Sequence, residues 1–541
     1  MGLDHPLRIG LSTLFSLVNA GSDRAFRRAL SSVSAEQERV LFRILRRNEH
    51  SAFGREHSFG KIASWAEYRQ RVPLSRYEDY LDRIEEIAGG KSGVLCTEEV
   101  LLFEPTSGTA SGSKLIPYTA ELKREFQRGI APWLRALART RPGVMQGPSY
   151  WSISPVMNDT RSEGTIPVGF ENDGEYLGMP GKLLYRWLMP VPAHVAGETG
   201  LVRFRRLTMA YLLACENLRL ISVWSPSFLT LLLESFLGDI EGVLEEMRLL
   251  GRRRVSQRIR KLDFLLGKTR PEEGLFEQIW PHLGLISCWI DGPSARPATT
   301  LKSFFPRTAF QGKGLVATEA FVSLPYFQDL DPVLALRSHA FEFEDTENGE
   351  IVLAGKLRKD RSYSVIVTSS GGLYRYRLGD RVLVTGYAAQ TPALRFLGRE
   401  GAVSDHFGEK LHEIHVRSVL EECIRDFSLD PVFVLMAPCS AADAGTSYAL
   451  FLEEEESAQS TLKAFGRAVE SRLESNFHYA YSRRIGQLGA LQVFRIQGPV
   501  GIAWQVWETE MIRRGARPGA VKPAFLDSHP DWEKRFFVER L

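Results

Sequence analysis

Apolar residues first recur at helical spacing over residues 22–48. Phe26, Leu30, Val33, Val40, Leu41, Ile44 and Leu45 form one stripe there and predict a helix. Ser51 to His57 breaks the stripe, and helical spacing returns over 64–90 with an interruption at Pro73. Val100-Leu101-Leu102-Phe103 reads as a buried strand and Ala120–Leu137 as a helix. Residues 207–266 read as mostly helical, with the leucine-rich stretch Leu229–Leu237 turned to a core. After residue 285 the pattern shifts to short apolar runs bounded by Gly, Pro and Asp. Ile286–Ile290, Leu315–Val322, Glu350–Leu357, Ser364–Thr368, Leu373–Arg377 and Val382–Val384 all predict strands. The polar stretch Gly398–Glu409 is the best domain boundary, and beyond it helix and strand patterns alternate as in a small α+β unit.

At 541 residues the chain exceeds a single compact core, so two or more domains are expected. A net charge of +3, from 68 basic and 65 acidic side chains, gives no general affinity for nucleic acid. The densest basic run, Arg252-Arg253-Arg254 followed by Arg258, Arg260 and Lys261, reads as a solvated helix face. Five scattered cysteines without a C-x-x-C pair offer neither a zinc site nor a disulfide framework, which suits a reducing, cytoplasmic setting. The apolar stretch Ile9–Val18 is too short to span a bilayer and is read as an amphipathic helix, so stable membrane insertion is not expected.

Chemistry concentrates first in Thr106-Ser107-Gly108-Thr109-Ala110-Ser111-Gly112-Ser113-Lys114. Successive backbone N–H groups in such a turn can form a nest for phosphate oxygens. Gly108 and Gly112 tolerate left-handed dihedrals, the hydroxyls add donors, and Lys114 adds a compact positive charge. A polar surface turn is the competing reading of the loop alone. The spacing is not that of a Walker loop, since three residues separate the glycines and Leu115 follows the lysine. Strand, loop and following helix together suit anion binding.

Thr318-Glu319, after the apolar Leu315-Val316, can offer a hydroxyl to a phosphate and a carboxylate to magnesium. Tyr374-Arg-Tyr-Arg-Leu-Gly-Asp380 reads as a strand ending in an aspartate that could accept from ribose hydroxyls; Asp in a hairpin turn is the alternative. Phe396-Leu-Gly-Arg399, Lys410-Leu-His-Glu413 and a lysine in the Gly/Pro-rich loop Gly515–Pro523 complete the series.

In this order, the segments resemble the adenylate-forming superfamily. The resemblance is closest to the auxin-responsive Gretchen Hagen acyl-acid amido synthetases in their bacterial form. The phrases Ala52-Phe-Gly-Arg-Glu-His, Val72-Pro-Leu-Ser-Arg-Tyr-Glu, Lys114-Leu-Ile-Pro and Tyr374–Asp380 carry it, with Leu315 standing where an adenine-stacking aromatic is usual. The resemblance implies an α/β (mixed α and β) chain. Residues 1–398 would form a large N-terminal adenylation domain with sheets flanked by helices, 399–408 a hinge, and 409–541 a smaller α+β C-terminal lid. It implies ATP and Mg²⁺ as cofactors, with residues 106–112, Thr318, Asp380 and Arg399 on the nucleotide and Glu319 on the metal. Lys114, Lys410 and Lys522 would be the catalytic cations. The implied partners are a small-molecule carboxylic acid and an amino acid, joined through an acyl-adenylate. An acyl-CoA ligase and a nucleotide-binding regulator without turnover remain open. The acid pocket is expected between residues 120–237 and 285–325, where composition offers Trp151, Ser154, Trp224, Trp289 and Phe321, although a buried Trp is more often core.

Overall fold

The computed structural model describes residues 19–106, 114–152, 166–168, 188–198, 200–251, 255–400, 403–404, 409, 411–441, 445–454, 457–485, 487–516, 519 and 521–541. The predicted helix over 22–48 is two helices, Ala20–Ala29 and Val33–Asn48, parted at Leu30–Ser32. Their apolar stripes pack on one large core together with the strands of the central sheet. Over 64–90, helices Trp65–Arg71 and Leu81–Ala88 flank a 3-10 turn at Tyr77–Tyr80, and Pro73 lies in the break between the first two.

Strand β1 (Leu102–Pro105) starts two residues later than the apolar run suggests. It pairs antiparallel with β2 (Leu115–Tyr118), in register from Leu102↔Tyr118 to Pro105↔Leu115. The two strands flank the small-residue loop, and where they meet it the Thr106 N–H donates to the Lys114 carbonyl at 2.8 Å. The helix Ala120–Thr140 follows β2, capped by the Thr119 hydroxyl, which accepts from Leu122 N–H. An unpredicted strand separates loop from helix, so the strand–turn–helix arrangement is corrected to hairpin then helix.

Four strands, β3 (Ser149–Trp151), β4 (Leu220–Ser222), β5 (Leu285–Cys288) and β6 (Ala309–Gly312), form an all-parallel sheet in that order. Helices Leu201–Ala214, Pro226–Gly238, Ile240–Leu249 and Val255–Leu266 build a second core against it. The leucines at 229, 232 and 233 are fully buried there, as expected. β4 breaks the expected helical stretch, because three buried residues are too few to display a period.

Arg258 departs from the solvated-face reading of the basic run, whereas Arg260 and Lys261 are exposed as expected. The Arg258 guanidinium is buried and donates to the Leu213 carbonyl at 2.8 Å and the Ile279 carbonyl at 2.6 Å, tying three helical segments together. Lys261 pairs with Glu216. Arg252–Arg254 lie outside the described residues.

The largest sheet has seven strands: β7 (Ser323–Leu324), β8 (Val333–Leu334), β9 (Ala340–Asp345), β10 (Ile351–Leu353), β11 (Ser362–Thr368), β12 (Tyr376–Ala388) and β13 (Thr391–Arg399), ordered β10-β9-β11-β12-β13-β8-β7. Of the runs 373–377 and 382–384, read as two strands, the second lies within the single strand β12, while only Tyr376 and Arg377 of the first belong to it and Leu373–Arg375 precede it. The run 315–322 is not a strand. It is a tight turn in which Ala317 N–H and Ala320 N–H each donate to the other's carbonyl.

Past a short pair, β14 (Val403–Ser404) and β15 (Leu411–His412), come β16 (Phe433–Ala441), β17 (Gly445–Glu453), β18 (Gln492–Ile496) and β19 (Val538–Arg540). These last four form a mixed sheet, and two separate cores cover its faces. The fold is mixed α and β, as the sequence implies. Among the described residues no helix is long and apolar enough to cross a membrane.

Candidate active site

The motif Tyr374–Asp380 divides its labour between structure and site. Tyr374 is buried, its hydroxyl donating to the Leu95 carbonyl at 2.7 Å. Arg375 is buried against Glu342, Nε to Oε2 2.9 Å. Arg377 pairs with Glu344. What the motif delivers to the site is Asp380, and it does so from within β12 rather than beyond a strand end. Gly379, at φ +76°, bends the strand there, and its carbonyl accepts from Glu400 N–H at 2.6 Å. Asp380 sits directly opposite Arg399 in the β12/β13 register, with Oδ1 3.5 Å from Arg399 Nε.

Glu319 occupies the tight turn after β6. The turn is pinned by Tyr118, whose hydroxyl donates to the Thr318 carbonyl at 2.5 Å. Glu319 is buried, and its Oε1 has no hydrogen-bond partner among the described residues. Burial raises its pKa, with Asp380 adding to the rise while Arg399 and Lys114 oppose it. Burial likewise raises Asp380, opposed by Arg399 and Lys522. Arg399 is held above its ordinary value chiefly by Asp380, with Glu319 helping. Two carboxylates and their cations thus share one low-dielectric patch.

Lys522 reaches this patch from the C-terminal unit. Its backbone carbonyl accepts from Trp507 Nε1–H at 3.1 Å, and its ammonium lies 4.7 Å from the Trp289 ring centroid. The residue keeps contact with solvent, yet the cleft walls crowd the ammonium. Desolvation, and secondarily Arg399, lowers its pKa; Asp380, Glu319 and Glu413 pull it back up. The cleft itself, about 450 Å³, is lined by Tyr77, Lys114, Lys313, Arg399, Glu413 and Lys522 among others. Lys114, at the foot of the hairpin, lies 5.4 Å from the Tyr77 ring centroid, and the Tyr77 hydroxyl accepts from Leu115 N–H at 2.7 Å.

The structure therefore brings Lys114, Glu319, Asp380, Arg399 and Lys522 to one place. Thr106 stands at the other foot of the hairpin and Thr318 at the pinned turn. Ser107, Gly108, Thr109, Ala110, Ser111, Gly112 and Lys410, with residues 401–402 and 405–408 of the expected hinge, lie outside the described residues, as does Ser154. Phe321 is core, edge-on to Phe126 at 6.3 Å. Sequence reasoning passed over Tyr77, Lys313 and Glu413 as site residues. Lys313 had a signal, a lysine between two glycines five residues ahead of Thr318.

A magnesium ion fits what is present. Such an ion takes one or two carboxylates and completes its shell with phosphate and water, and the buried, unpartnered Oε1 of Glu319 is an oxygen of that kind. Among the described residues there is no cluster of three or more side chains that would make a protein-only metal cage.

The C-terminal unit is docked on the rest. Arg205 pairs with Glu508, and Arg296 pairs with Asp430 at 2.8 Å. Leu201 packs on one C-terminal core, and Glu234 lies against Gly501 at the start of the helix Ile502–Arg513.

Three family models match the chain: the GH3 family N-terminal domain over residues 23–310, its central domain over 333–399 and its C-terminal domain over 415–530. Indole-3-acetic acid-amido synthetase GH3.2 of Arabidopsis thaliana is 21% identical over 432 residues, covering 72% of this chain and 78% of that protein. Indole-3-acetic acid-amido synthetase GH3.8 of Oryza sativa subsp. indica is 24% identical over 426 residues, covering 72% and 70%. Among solved structures, a GH3.15 acyl acid amido synthetase superimposes with a TM-score of 0.77 at 18% identity, covering 95% of this chain and 94% of that one. The match by family models spans most of the chain, and this chain belongs to the GH3 family.

Proposed function

We propose that this chain is an ATP-dependent acyl-acid amido synthetase, in which the cleft holds MgATP and a carboxylic acid and the product is an amide with an amino acid. One observation carries the reading. Lys522, on the C-terminal unit, lies in the same cleft as Lys114 and Arg399, with Asp380 paired to Arg399 and Glu319 buried beside them. The relatives named as amido synthetases support it.

In the first half-reaction an acid carboxylate oxygen attacks the α-phosphorus of ATP, the bond to the β-phosphate oxygen breaks, and pyrophosphate leaves. In the second an amine nitrogen attacks the acyl carbon, the bond to the AMP oxygen breaks, and the nitrogen loses a proton. A carboxylate approaching a polyanion needs charge neutralisation and in-line placement more than it needs acid–base chemistry. Lys114 and Lys522, both lining the cleft, supply positive charge. Asp380 is the acceptor for ribose hydroxyls, and Arg399 orients it. The loop 106–112 and Lys410 are assigned to the phosphates by the motif they match. Mg²⁺ on Glu319 would neutralise phosphate charge. Residues 1–398 serve as the adenylation domain, 399–408 as the hinge and 409–541 as the lid. The five cysteines, all unbridged, suit a cytoplasmic enzyme.

The test is pyrophosphate release with MgATP and a panel of carboxylic acids, followed by mass spectrometry after adding an amino-acid mixture or CoA. Amide and AMP are expected. Silence with every acid, or a thioester in place of an amide, would refute the reading.

A further inference from the structure

The phrase Val72-Pro-Leu-Ser-Arg-Tyr-Glu has no part in the chemistry assigned so far, yet the fold fastens it to the cleft. Ser75 is buried and joins the start of β12 through a parallel bridge to Tyr376. Its N–H donates to the Arg375 carbonyl at 3.1 Å, and its carbonyl accepts from Arg377 N–H at 2.9 Å. The Ser75 hydroxyl donates to the Tyr374 carbonyl at 2.8 Å. One residue on, Arg76 N–H donates to Asp79 Oδ2 at 2.7 Å and opens the 3-10 turn Tyr77–Tyr80. The backbone is thus fixed on both sides of Arg76, while the residue itself is exposed and lines the cleft.

Among the described residues three arginines line the cleft: Arg76, Arg377 and Arg399. Arg377 is paired with Glu344 and Arg399 with Asp380. Arg76 has no ion-pair partner among the described residues, and the nearby Asp79 carboxylate is engaged by its backbone rather than by its guanidinium. The next residue, Tyr77, ties this position to Lys114. The Lys114 ammonium lies 5.4 Å from the Tyr77 ring centroid, and the Tyr77 hydroxyl accepts from Leu115 N–H at 2.7 Å. Arg76 and Lys114 therefore belong to one cationic wall. Tyr376, to which Ser75 bridges, precedes Asp380 by about 13 Å of strand. That wall stands away from the ribose acceptor, where the phosphates of a nucleotide rather than its sugar would lie.

We propose that Arg76 binds the pyrophosphate end of ATP and neutralises it as it departs. When the acid oxygen attacks the α-phosphorus, the electron pair of the breaking bond passes to the bridging oxygen, and the leaving pyrophosphate takes on the extra negative charge without any proton transfer. A guanidinium presents two parallel N–H groups to two phosphate oxygens, where Lys114 supplies a point charge. This deepens the amido synthetase reading and rests on it.

The experiment uses the full chain and three measurements: binding of magnesium pyrophosphate by calorimetry, pyrophosphate release with MgATP and an acid, and amide formation from that acid's synthetic adenylate and an amino acid. Arg76→Ala is expected to weaken magnesium pyrophosphate binding by at least about tenfold, which corresponds to about 1.4 kcal/mol. Adenylation is expected to slow by at least the same factor. Amide formation from the ready-made adenylate, which carries no pyrophosphate, should stay within about twofold. Arg76→Lys should recover only part of the loss, since it lacks the paired N–H groups. Arg76→Gln decides the same comparison should the alanine variant misfold. Equal pyrophosphate affinity in wild type and variants, or no measurable binding by the wild type, overturns the inference. So does an equal fall in adenylation and amide formation, which marks a residue that only supports the fold. Pyrophosphate binding that depends on Arg76, in a chain that turns over no acid of a wide panel, upholds the site and removes the amido synthetase reading.

Discussion

Replacing Lys522 with alanine separates chemistry from folding more cleanly than any other single change in the cleft. The side chain's ring contact is Trp289 at 4.7 Å, and its backbone stays anchored by Trp507. A cation–π contact with solvent access contributes about 0.5–1 kcal/mol. Truncation also removes a desolvated charge, which offsets part of that loss, so the melting temperature is expected to move by less than about 2 °C. The chemical cost is larger. Loss of one preorganised charge contact at the reacting centre costs about 3–4 kcal/mol, or roughly 10²–10³ in rate. Stopped-flow pyrophosphate release should show that fall in the adenylation step. Because desolvation lowers the Lys522 pKa, the alkaline limb of kcat/KM for ATP in the wild type should begin below an ordinary lysine's titration, and Lys522→Arg should move it upward. Pyrophosphate release by Lys522→Ala within threefold of wild type would show that the lysine is a bystander.

Asp380→Ala is expected to raise the KM for ATP more than tenfold while changing kcat less, because the acceptor for ribose is lost and the Arg399 guanidinium loses its partner; steady-state kinetics check it. Arg258→Met should cost roughly 2–4 kcal/mol in urea unfolding, since the Leu213 and Ile279 carbonyls lose their donor; a cost below 1 kcal/mol would restore the solvated-face reading. Glu234 is raised to about 7 by burial and by Glu453. Its folded pKa exceeds its unfolded one, so stability declines as pH rises between the two and the penalty is complete above about 7. Glu234→Gln should therefore stabilise by up to about 3 kcal/mol at pH 8 and by little at pH 4.5, read as a melting-temperature gain that grows with pH.

Short sequence phrases served the candidate site better than periodicity served the fold. Thr318-Glu319, Asp380, Arg399 and Lys522 are distant in sequence, yet each carries a residue type that a nucleotide site requires, and they meet in space. Periodicity worked where elements were long and one-sided, as in Val33–Asn48 and Ala120–Thr140. It failed at β3, β4 and β6, whose three or four residues lie in a sheet packed on both faces and so show no alternation. The Leu315–Val322 run looked like a strand because its apolar residues are buried, but they are buried across a turn rather than along a ladder. Arg258 was misjudged because charge in a sequence says nothing about carbonyls brought near from elsewhere in the chain. Lys313 was missed because its tryptophan neighbours come from three separate segments.

The pairing of Asp380 with Arg399 falls on the last residue of β13. If the lid proposed above swings, its pivot would fall downstream of that residue, ahead of the helix Glu413–Asp426. The guanidinium would then stay with the frame while the ammonium of Lys522 moved with the door, one positive group a fixture and the other a visitor.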